Sequence, residues 1–359
     1  MVKFSICIPN YNYSKYISET INSLLNQTYK DIEICISDNA STDESIETIK
    51  KYTSKHKFIK LKVNRCNVGY YENLKRAANM AKNDWMLMIS SDDIAYKNAF
   101  EVYNKIINSI PHANRSVICS LADCIDSKSN IINTNKMNKI LFKEAALDEE
   151  LSKNLSLNVY KIKAKALLKK SLLELRNPLH FATTSYPRSM HDEIEGYSWG
   201  GIMGPDKPFV YKLLSISEDV YIVDSPLFGY RLHSQNNIAS EFQLGGLKYL
   251  VDSYVITFNL DQKIINFADI TRDKLSNAFI KNSIYVRIIY NLSYFRLNYC
   301  LRLILFGFAC YPQKCLTSIR FLISMICVLI FPITSPIFFI LRKFFYKDPT
   351  HKKYFRRFV

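Results

Sequence analysis

The first third of the chain alternates between short apolar runs and segments whose apolar residues recur at helical spacing. After the run Phe4–Pro9, for example, Ile17, Ile21 and Leu24 mark one face of a helix over Tyr16–Asn26. The predicted strands are Phe4–Pro9, Ile32–Ser37, Ile59–Val63 and Trp85–Ile89, and the later helices are one that ends at Tyr52 and one over Tyr71–Ala81. Strands that alternate regularly with helices predict an α/β fold with a doubly wound, mostly parallel sheet.

Further elements are predicted beyond this region. Ser41 and Glu44 have the spacing of a capping box for the helix that ends at Tyr52. Pro205-Asp206 is a helix-start signal before the apolar segment Phe209–Leu214. The remaining predictions are strands over Ser116–Ala122, Phe181–Tyr186 and Leu227–Leu232 and a helix over Ala164–Leu173.

Charge is distributed unevenly along the 359 residues. The net charge is +16, yet the segment from Tyr285 to the end holds twelve basic residues and one acid, Asp348, so only +5 remains for the rest. The large N-terminal part is therefore not expected to bind nucleic acid. Nine scattered cysteines without a CxxC pair favour a reducing compartment, and the N-terminus lacks the apolar core of a signal peptide. We expect the large N-terminal part to be cytoplasmic.

Polar residues follow each predicted strand of the first third. Pro9-Asn10-Tyr11-Asn12, Asp38-Asn39, Asn67-Val68-Gly69 and Asp92-Asp93 stand at these positions. In a doubly wound sheet the ligand binds at the carboxyl ends of the strands, which predicts one site built from these residues. The glycine patterns of a dinucleotide fold and of a P-loop are both missing from the sequence.

Four segments together resemble the family 2 glycosyltransferases of the GT-A fold. They are SICIPNYNYSKYISETINSLLNQTYKDIEICISDNASTDES, NVGYYENLKRAANMAKNDWMLMISSDD, GPDKPFVYKLL and SPLFGYRLHS, and they extend over residues 1 to about 235. One departure concerns the acidic motif, where Ser90-Ser91 precede Asp92-Asp93 and the number of carboxylates is reduced.

The resemblance implies a GT-A nucleotide-diphospho-sugar transferase fold and a role for particular residues. Asp93 would be the ligand of a divalent cation, Mn²⁺ or Mg²⁺, that the donor diphosphate shares. The implied donor-binding residues are Pro9, Tyr11, Asp38, Asn73, Arg76, Asp92, Arg231 and His233. Among them, Tyr11 would lie against the base, Asp38 would accept a hydrogen bond from it, and Arg231 and His233 would contact the diphosphate.

The resemblance also places the general base of an inverting transfer at Asp206, which would take the proton of the attacking hydroxyl group. Glu218-Asp219 is a competing acidic pair. The distance in sequence to Arg231-Leu232-His233 favours Asp206. The glycine-rich segment that precedes it suggests Trp199 and Gly201 as acceptor-binding residues.

Several of these residues have structural interpretations that stay open. Asp38 could begin an Asx-turn, and Tyr11 could be an aromatic lid on the sheet end. Asp92 or Asp93 could cap a helix, and Arg76 could form a surface ion pair. The alternatives for the other residues are core packing for Trp199, a first-turn acid for Asp206, and a strand-end salt bridge with an ordinary exposed histidine for Arg231 and His233.

The sequence of the C-terminal part predicts that it associates with a membrane. Phe321–Leu341 carries no charge, and Pro332 and Pro336 divide it into arms too short to cross a bilayer singly. We therefore expect a re-entrant or interfacial hairpin on the cytoplasmic face of the inner (plasma) membrane, with a buried helix pair as the alternative. The predicted domains are a transferase domain 1–238, a helical extension 239–300 and a basic, hydrophobic membrane-associating tail 301–359.

The expected function is transfer of a sugar from a nucleotide-diphosphate donor to a saccharide acceptor. A lipid-linked acceptor would explain the tail, and cell-surface polysaccharide or lipopolysaccharide assembly is what the resemblance implies. Two rivals remain, a polyprenyl-phosphate sugar transferase and a catalytically silent membrane scaffold with the same fold.

Overall fold

The computed structural model describes residues 2–134, 142–202, 204–233 and 247–345. The chain divides into two compact units. The first comprises Met1–Leu168 with Asn177–Leu232, and the second comprises Lys169–Arg176 with His233–Val359.

The first unit contains a sheet and the helices that cover it. Its strands are β1 Phe4–Asn10, β2 Ile32–Asp38, β3 Ile59–Val63, β4 Trp85–Met88, β5 Ile94–Ala95, β6 Ser116–Ile125, β7 Ile131–Thr134, β8 Ala146–Leu147, β9 Val159–Lys163, β10 Ser185–Pro187 and β11 Asp219–Arg231. Its helices are α1 Ser14–Leu25, α2 Ser45–Thr53, α3 Tyr70–Ala78, α4 Ala99–Ser109, α5 Glu149–Leu155, α6 Ala164–Glu174, α7 Arg188–Glu193 and α8 Asp206–Ser215. Helix α6 begins in the first unit and ends in the second.

The sheet runs in the order β3-β2-β1-β4-β10-β6-β11-β9-β8, with β5 and β7 added beside β11 and β6. Strands β3, β2, β1 and β4 are parallel, and so are β6 and β11. Because β10 is antiparallel to both β4 and β6, the two parallel groups run in the same direction. The carboxyl ends of β1, β2, β4 and β11 therefore share one edge of the sheet, and every residue of β1 and β2 is buried, as in a sheet covered on both faces.

The structure confirms the predicted strand-helix alternation of the first third, with strand and helix ends within a few residues of those expected. Two local predictions are wrong. Helix α2 begins at Ser45, whose backbone N–H donates to Asp43 Oδ1 at 3.0 Å, and the Ser41 hydroxyl donates to Asp38 instead of capping the helix. The predicted strand Phe181–Tyr186 is a 3₁₀ turn over Phe181–Thr183 followed by the short strand β10.

The described part of the second unit is helical. Its helices are α9 Leu247–Asn259, α10 Gln262–Phe267, α11 Arg272–Phe279, α12 Val286–Leu292, α13 Leu297–Cys310, α14 Pro312–Thr317, α15 Ile319–Leu329 and α16 Phe331–Phe345, with a π-helical stretch over Ile280–Tyr285 before α12.

The apolar segment of the second unit is bent, but the bend does not lie at Pro332 and Pro336, where the sequence predicted it. The chain bends by 112° between α15 and α16, at Ile330, while Pro332 is the second residue of α16 and Pro336 lies inside that helix. Proline is tolerated in the first helical turn, where its missing N–H has no intrahelical partner to lose. Among the described helices none is long and apolar enough to cross a membrane alone, and the bent pair meets that test only jointly.

Candidate active site

Hydrogen bonds between the loops after β1 and β2 form the first part of the site. The fully buried Asp38 accepts from the Asn10 amide at 2.7 Å, from the Ser41 hydroxyl at 2.7 Å and from the Ser41 backbone N–H at 2.8 Å. The turn that the sequence left open for Asp38, in which its side chain accepts from a following backbone N–H, is thus present. Its hydrogen bond to a donor base stays a prediction, and holding the two loops together is an additional task.

Helix α3 is tied to the same strand ends through Asn73. The Asn73 side chain accepts from the hydroxyl of Ser37 at 2.8 Å and from the amide of Asn64 at 3.0 Å, and its amide donates to the Asn10 carbonyl at 3.2 Å. It is almost fully buried, so the structure uses this side chain to dock α3 on the sheet. Its expected contact with a donor remains a prediction.

Arg76, on the same helix, forms the ion pair that the sequence left open as an alternative. Its Nε lies 3.1 Å from Glu72 Oε1, one turn earlier, and its Nη1 donates to the Asn64 side chain at 2.8 Å. A role at the donor base or phosphate would require Arg76 to exchange these partners.

Asp92 and Asp93 lie just beyond the carboxyl end of β4, and both are largely buried. The Thr20 hydroxyl of α1 contacts two carbonyl oxygens of this loop, those of Ser91 at 3.0 Å and Asp93 at 2.8 Å. The backbone N–H of Arg231 donates to Asp93 Oδ1 at 2.9 Å. The loop that carries the two carboxylates is therefore held from both α1 and β11.

The two carboxylates have the hard oxygen atoms that Mn²⁺ and Mg²⁺ prefer. In the part of the chain that the structure describes, no group of three or more His, Cys, Asp or Glu residues is arranged to hold a metal ion. Magnesium sites in nucleotide enzymes often use one or two carboxylates and take the other ligands from phosphate and water. Asp92 and Asp93 fit a cation held in that way, with the donor supplying part of the shell.

Arg231 is fully buried, which changes the interpretation of this residue. Its Nε donates to the Asp92 carbonyl at 2.7 Å and its Nη2 lies 2.7 Å from Glu19 Oε2 on α1. The strand-end salt bridge that the sequence left open for Arg231 is thus present, and the buried guanidinium holds the acidic loop, while its expected contact with the diphosphate stays a prediction. His233 lies beyond the end of β11 and is half-buried, and its diphosphate contact stays a prediction.

Asp206 is the first residue of α8, as expected, and Pro205 immediately precedes the helix. The Asn177 amide donates to Asp206 Oδ2 at 2.8 Å. Withdrawal from water raises the pKa of the Asp206 carboxyl above its usual value, although hydrogen bonds from Asn177 and the backbone N–H of Lys207 oppose the shift. A carboxylate with a raised pKa is a better proton acceptor.

Tyr70 connects Asp206 electrostatically with the acidic loop. Desolvation raises the pKa of the Tyr70 hydroxyl, and the negative charges of Asp206, Asp92 and Asp93 raise it further. Such interactions fall off with distance, which indicates that the three carboxylates belong to one region of the first unit. About half of the Tyr70 side chain, 49%, nevertheless stays exposed at the first turn of α3.

Asp219, the competing acid, lies at the opposite edge of the sheet. It is the first residue of β11, whereas Arg231 is the last, and it pairs with Lys161 at 3.2 Å and Lys163 at 2.8 Å. The structure thus separates Asp219 from the carboxyl ends of β1, β2 and β4. Of the two candidate bases, the geometry favours Asp206.

The two acceptor candidates lie in the loop before α8. Trp199 is half-buried, and Gly201 is exposed with φ +79°, a conformation that favours glycine. Gly200 makes the close approach in this loop, since a Cβ there would lie 3.2 Å from the ring of Tyr71. Contact of Trp199 and Gly201 with an acceptor stays a prediction.

An aromatic cluster supports this loop from beneath. The buried His191 ring stacks on Tyr186 with centroids 6.0 Å apart and packs against Tyr197 and Phe209. Tyr197 in turn accepts a hydrogen bond from the Tyr71 hydroxyl at 2.9 Å through its carbonyl oxygen. The loop is thereby linked to α3.

The remaining donor candidates lie at the end of β1. Pro9 is buried inside the strand beside Ser37 of β2, so it shapes the strand end. Tyr11 follows directly and is 40% exposed. Its ring is therefore accessible to a base, as the resemblance implied, and that contact stays a prediction.

Three residues at the site were missed by the sequence interpretation, namely Glu19, Tyr70 and Asn177. Tyr70 follows Asn67-Val68-Gly69, so its place after a polar strand end was an available signal. Glu19 lies within the first segment that resembles the family, at a position to which the resemblance gave no role, and Asn177 lies in a segment with no motif. Only the folded chain brings them to Arg231 and Asp206.

Comparison with protein families identifies the N-terminal region. A family model described as glycosyl transferase family 2 matches residues 5–173, which include β1–β9 and the Asp92–Asp93 loop. This region of the chain belongs to the family 2 glycosyltransferases. The mixed, mostly parallel sheet agrees with the GT-A α/β fold.

Individual relatives match over shorter stretches. The abequosyltransferase RfbV of Salmonella typhimurium is 37% identical over 108 residues, which are 29% of this chain and 32% of that protein. The poly(ribitol-phosphate) beta-N-acetylglucosaminyltransferase TarS of Staphylococcus aureus is 33% identical over 105 residues, which are 28% of this chain and 18% of that protein. The chain therefore spans about a third or less of the length of these relatives.

A solved structure resembles the chain over most of its length. The crystal structure of S. aureus TarS 1-349 in complex with UDP-GlcNAc aligns with a TM-score of 0.59 and 16% sequence identity, covering 95% of this chain and 92% of that one. At this identity the likeness concerns the fold.

Proposed function

We propose that this chain is an inverting glycosyltransferase that moves a sugar from a nucleotide-diphosphate donor to a hydroxyl group of a saccharide acceptor. The observation that carries the proposal is that Asp92 and Asp93 lie just beyond the carboxyl end of β4, and that their charges and the charge of Asp206 all raise the pKa of the Tyr70 hydroxyl. A family 2 glycosyltransferase region, a relative that transfers N-acetylglucosamine and a structural neighbour with UDP-GlcNAc support it.

In the proposed reaction the acceptor oxygen attacks the anomeric carbon and the bond from that carbon to the diphosphate oxygen breaks. The electron pair of the broken bond leaves with the diphosphate, and the hydroxyl proton passes to Asp206. Asn177 holds the Asp206 carboxylate in one orientation, and the raised pKa of Asp206 makes it the stronger base.

Asp92 and Asp93 would hold the divalent cation, with Asp93 as the direct ligand and Asp92 nearer the donor. When bound, such a cation supplies charge neutralisation for the departing diphosphate. Tyr11, exposed after β1, would cover the base of the donor.

A donor panel tests this function. The purified chain is incubated with individual nucleotide sugars and Mn²⁺, and mass spectrometry follows slow donor hydrolysis and transfer to candidate acceptors. We expect one donor to be consumed, and excess EDTA to stop its consumption. Consumption that persists undiminished in EDTA would contradict the metal role, and no consumption of any donor would favour the silent scaffold.

We further propose that the second unit attaches the enzyme to the cytoplasmic face of the plasma membrane and that the acceptor is lipid-linked. Helix α15 exposes Ile319, Ile323 and Ile326 at helical spacing, with Ile319 73% exposed. Its opposite face buries Phe321, Ser324 and Val328. The helix is therefore apolar on both faces, and its outer face lacks protein cover within the described residues.

Helix α16 repeats this pattern beyond the bend, with Ile333, Ile337 and Ile340 all about half exposed or more. Two short helices separated by a bend of 112° suit a surface that enters one leaflet better than one that spans the bilayer. The assembly of a cell-surface polysaccharide from lipid-linked intermediates would bring such an enzyme to the membrane.

A further inference from the structure

The buried guanidinium of Arg231 depends on one carboxylate from a distant part of the chain. A guanidinium that is fully removed from water is costly unless an opposite charge and hydrogen-bond acceptors surround it. Glu19 supplies that charge at 2.7 Å, although 212 residues separate the two in sequence. Glu19 itself is about half exposed, so the pair connects the protein surface with the interior.

The other bonds of Arg231 lead to the acidic loop and to a neighbouring turn. Its Nε donates to the Asp92 carbonyl at 2.7 Å, and its backbone N–H donates to Asp93 Oδ1 at 2.9 Å. Its Nη1 donates to the Asp126 carbonyl at 3.0 Å and the Ser129 hydroxyl oxygen at 2.9 Å. One residue thus fixes the main chain of Asp92 and one oxygen atom of Asp93.

Three residues on one face of helix α1 contact Arg231 or the Asp92–Asp93 loop. The Tyr16 ring lies 4.9 Å from the Arg231 guanidinium, Glu19 forms the ion pair, and Thr20 contacts the loop carbonyls. Residues three and four apart on a helix share a face, so this side of α1 is directed at the loop. Ser129 also donates to Glu19, which closes the network.

We propose that Glu19 is a positioning residue of the transferase, which acts through Arg231 to hold the Asp92–Asp93 loop in the conformation that binds the cation and the donor diphosphate. This inference rests on the proposed function, because the ligands that it concerns are those of the proposed site. Glu19 touches neither the reacting atoms nor the donor in this scheme.

The test uses the full chain and the nucleoside diphosphate of whichever donor the wild type consumes. Mn²⁺ is titrated in the presence of that nucleotide, binding is followed by calorimetry, and thermal unfolding is recorded for each variant. Glu19→Gln keeps the shape and an acceptor oxygen but removes the charge. We expect the Mn²⁺ concentration at half-saturation to rise about tenfold, with nucleotide affinity restored at high Mn²⁺.

Glu101→Gln is the matched control, because it also removes a partly exposed carboxylate that pairs with a cation, here Lys105 at 3.0 Å on α4. It should leave the Mn²⁺ requirement unchanged. Ser129→Ala removes one hydrogen bond of Arg231 and the bond that Ser129 donates to Glu19 but keeps the ion pair, so it provides a milder variant should Glu19→Gln fold poorly. It should raise the Mn²⁺ requirement severalfold.

A second readout separates positioning from general stability. In the double variant Glu19→Gln/Arg231→Lys, the loss of metal affinity should be no larger than in the worse single variant, since both act through one network. Unchanged Mn²⁺ dependence in both Glu19→Gln and Ser129→Ala would overturn the inference, as would a loss that high Mn²⁺ does not restore. Absence of nucleotide binding by the wild type would count against the proposed function itself, and the inference would fall with it.

Discussion

At the scale of single residues, environment distinguishes the two acids that the sequence offered as bases. Asp206 begins a helix, accepts from Asn177 and has a pKa raised by desolvation, whereas Asp219 pairs with two lysines at the far edge of the sheet. A base needs an accessible proton acceptor near the reacting centre. Asp206 is therefore the acid that we propose as the base.

Replacement of Asp206 by Asn tests this assignment. The amide keeps the shape but accepts no proton, so kcat for sugar transfer should fall by about 10²–10⁴-fold while donor affinity changes little. Initial rates with the donor identified in the panel give the measurement. Asp219→Asn is the control and should retain most of the activity, and the reverse ranking would move the role to Asp219.

Because His191 is buried, we expect the stability of the first unit to depend on pH. Burial lowers the pKa of His191 to about 4, below the value of about 6.5 expected in the unfolded chain. The contribution of His191 to the free energy of unfolding is therefore complete above pH 6.5. It is lost as the pH falls from there towards 4, because the unfolded chain then binds a proton that the folded chain excludes. The loss amounts to about 2 kcal/mol at pH 5.

Urea unfolding at pH 7.5 and pH 5 measures this effect. His191→Leu removes the titrating ring from the aromatic cluster and should show a smaller difference between the two pH values than the wild type. His56→Leu, at a partly exposed position beside Phe58, should keep the wild-type difference. Equal pH dependence in wild type and His191→Leu would contradict the role of His191.

The site could be predicted from the sequence where a residue belongs to a local motif. Asp92, Asp93 and Asp206 follow a buried strand or begin a helix, and both signals are short-range. Arg231 was placed at the correct strand end with a salt bridge as the alternative, but its partner Glu19 and its burial could not be named, because both arise from tertiary packing.

At the scale of elements, periodicity predicted β1–β4 and the helices between them well, since a covered parallel strand is a continuous apolar run. Local rules failed where tertiary contacts compete with them. Ser41 has capping-box spacing, yet the buried Asp38 carboxylate takes its hydroxyl. The bend of the apolar segment falls at Ile330 rather than at the prolines, because Pro332 is accommodated at the start of α16.

The exposed faces of α15 and α16 allow the proposed membrane surface to be tested directly. Leu329, the last residue of α15, is 80% exposed, and Ile333, beyond the bend on α16, is 64% exposed. Carboxylates at these positions would oppose insertion, so Leu329→Glu/Ile333→Glu should bind lipid vesicles at least about tenfold more weakly than the wild type. Flotation with phosphatidylcholine–phosphatidylglycerol vesicles gives the measurement.

Phe58→Glu replaces an exposed aromatic residue in the first unit and serves as the control, which should float like the wild type. If the double variant also floats unchanged while its oligomeric state differs from that of the wild type, these helix faces form an interface between copies of the chain rather than a membrane surface.

At the scale of the whole molecule, charge and apolar surface occur in the same part of the chain. The residues from Tyr285 onward carry twelve basic side chains and one acid, and this stretch includes α15 and α16. Membranes with anionic lipids attract basic groups by on the order of 1 kcal/mol for each one near the surface. We therefore expect binding to have an electrostatic part and an apolar part.

Salt separates the two parts, because the Debye length shortens from about 10 Å at 0.1 M to about 3 Å at 1 M while apolar burial is retained. Binding to vesicles that contain phosphatidylglycerol should weaken severalfold over this range and approach the level seen with phosphatidylcholine alone. Leu329→Glu/Ile333→Glu should keep the salt dependence but lose the residual binding at high salt. Wild-type binding that disappears completely at 1 M salt would show that the apolar faces contribute nothing, and binding that is indifferent to both salt and phosphatidylglycerol would remove the role of the basic residues.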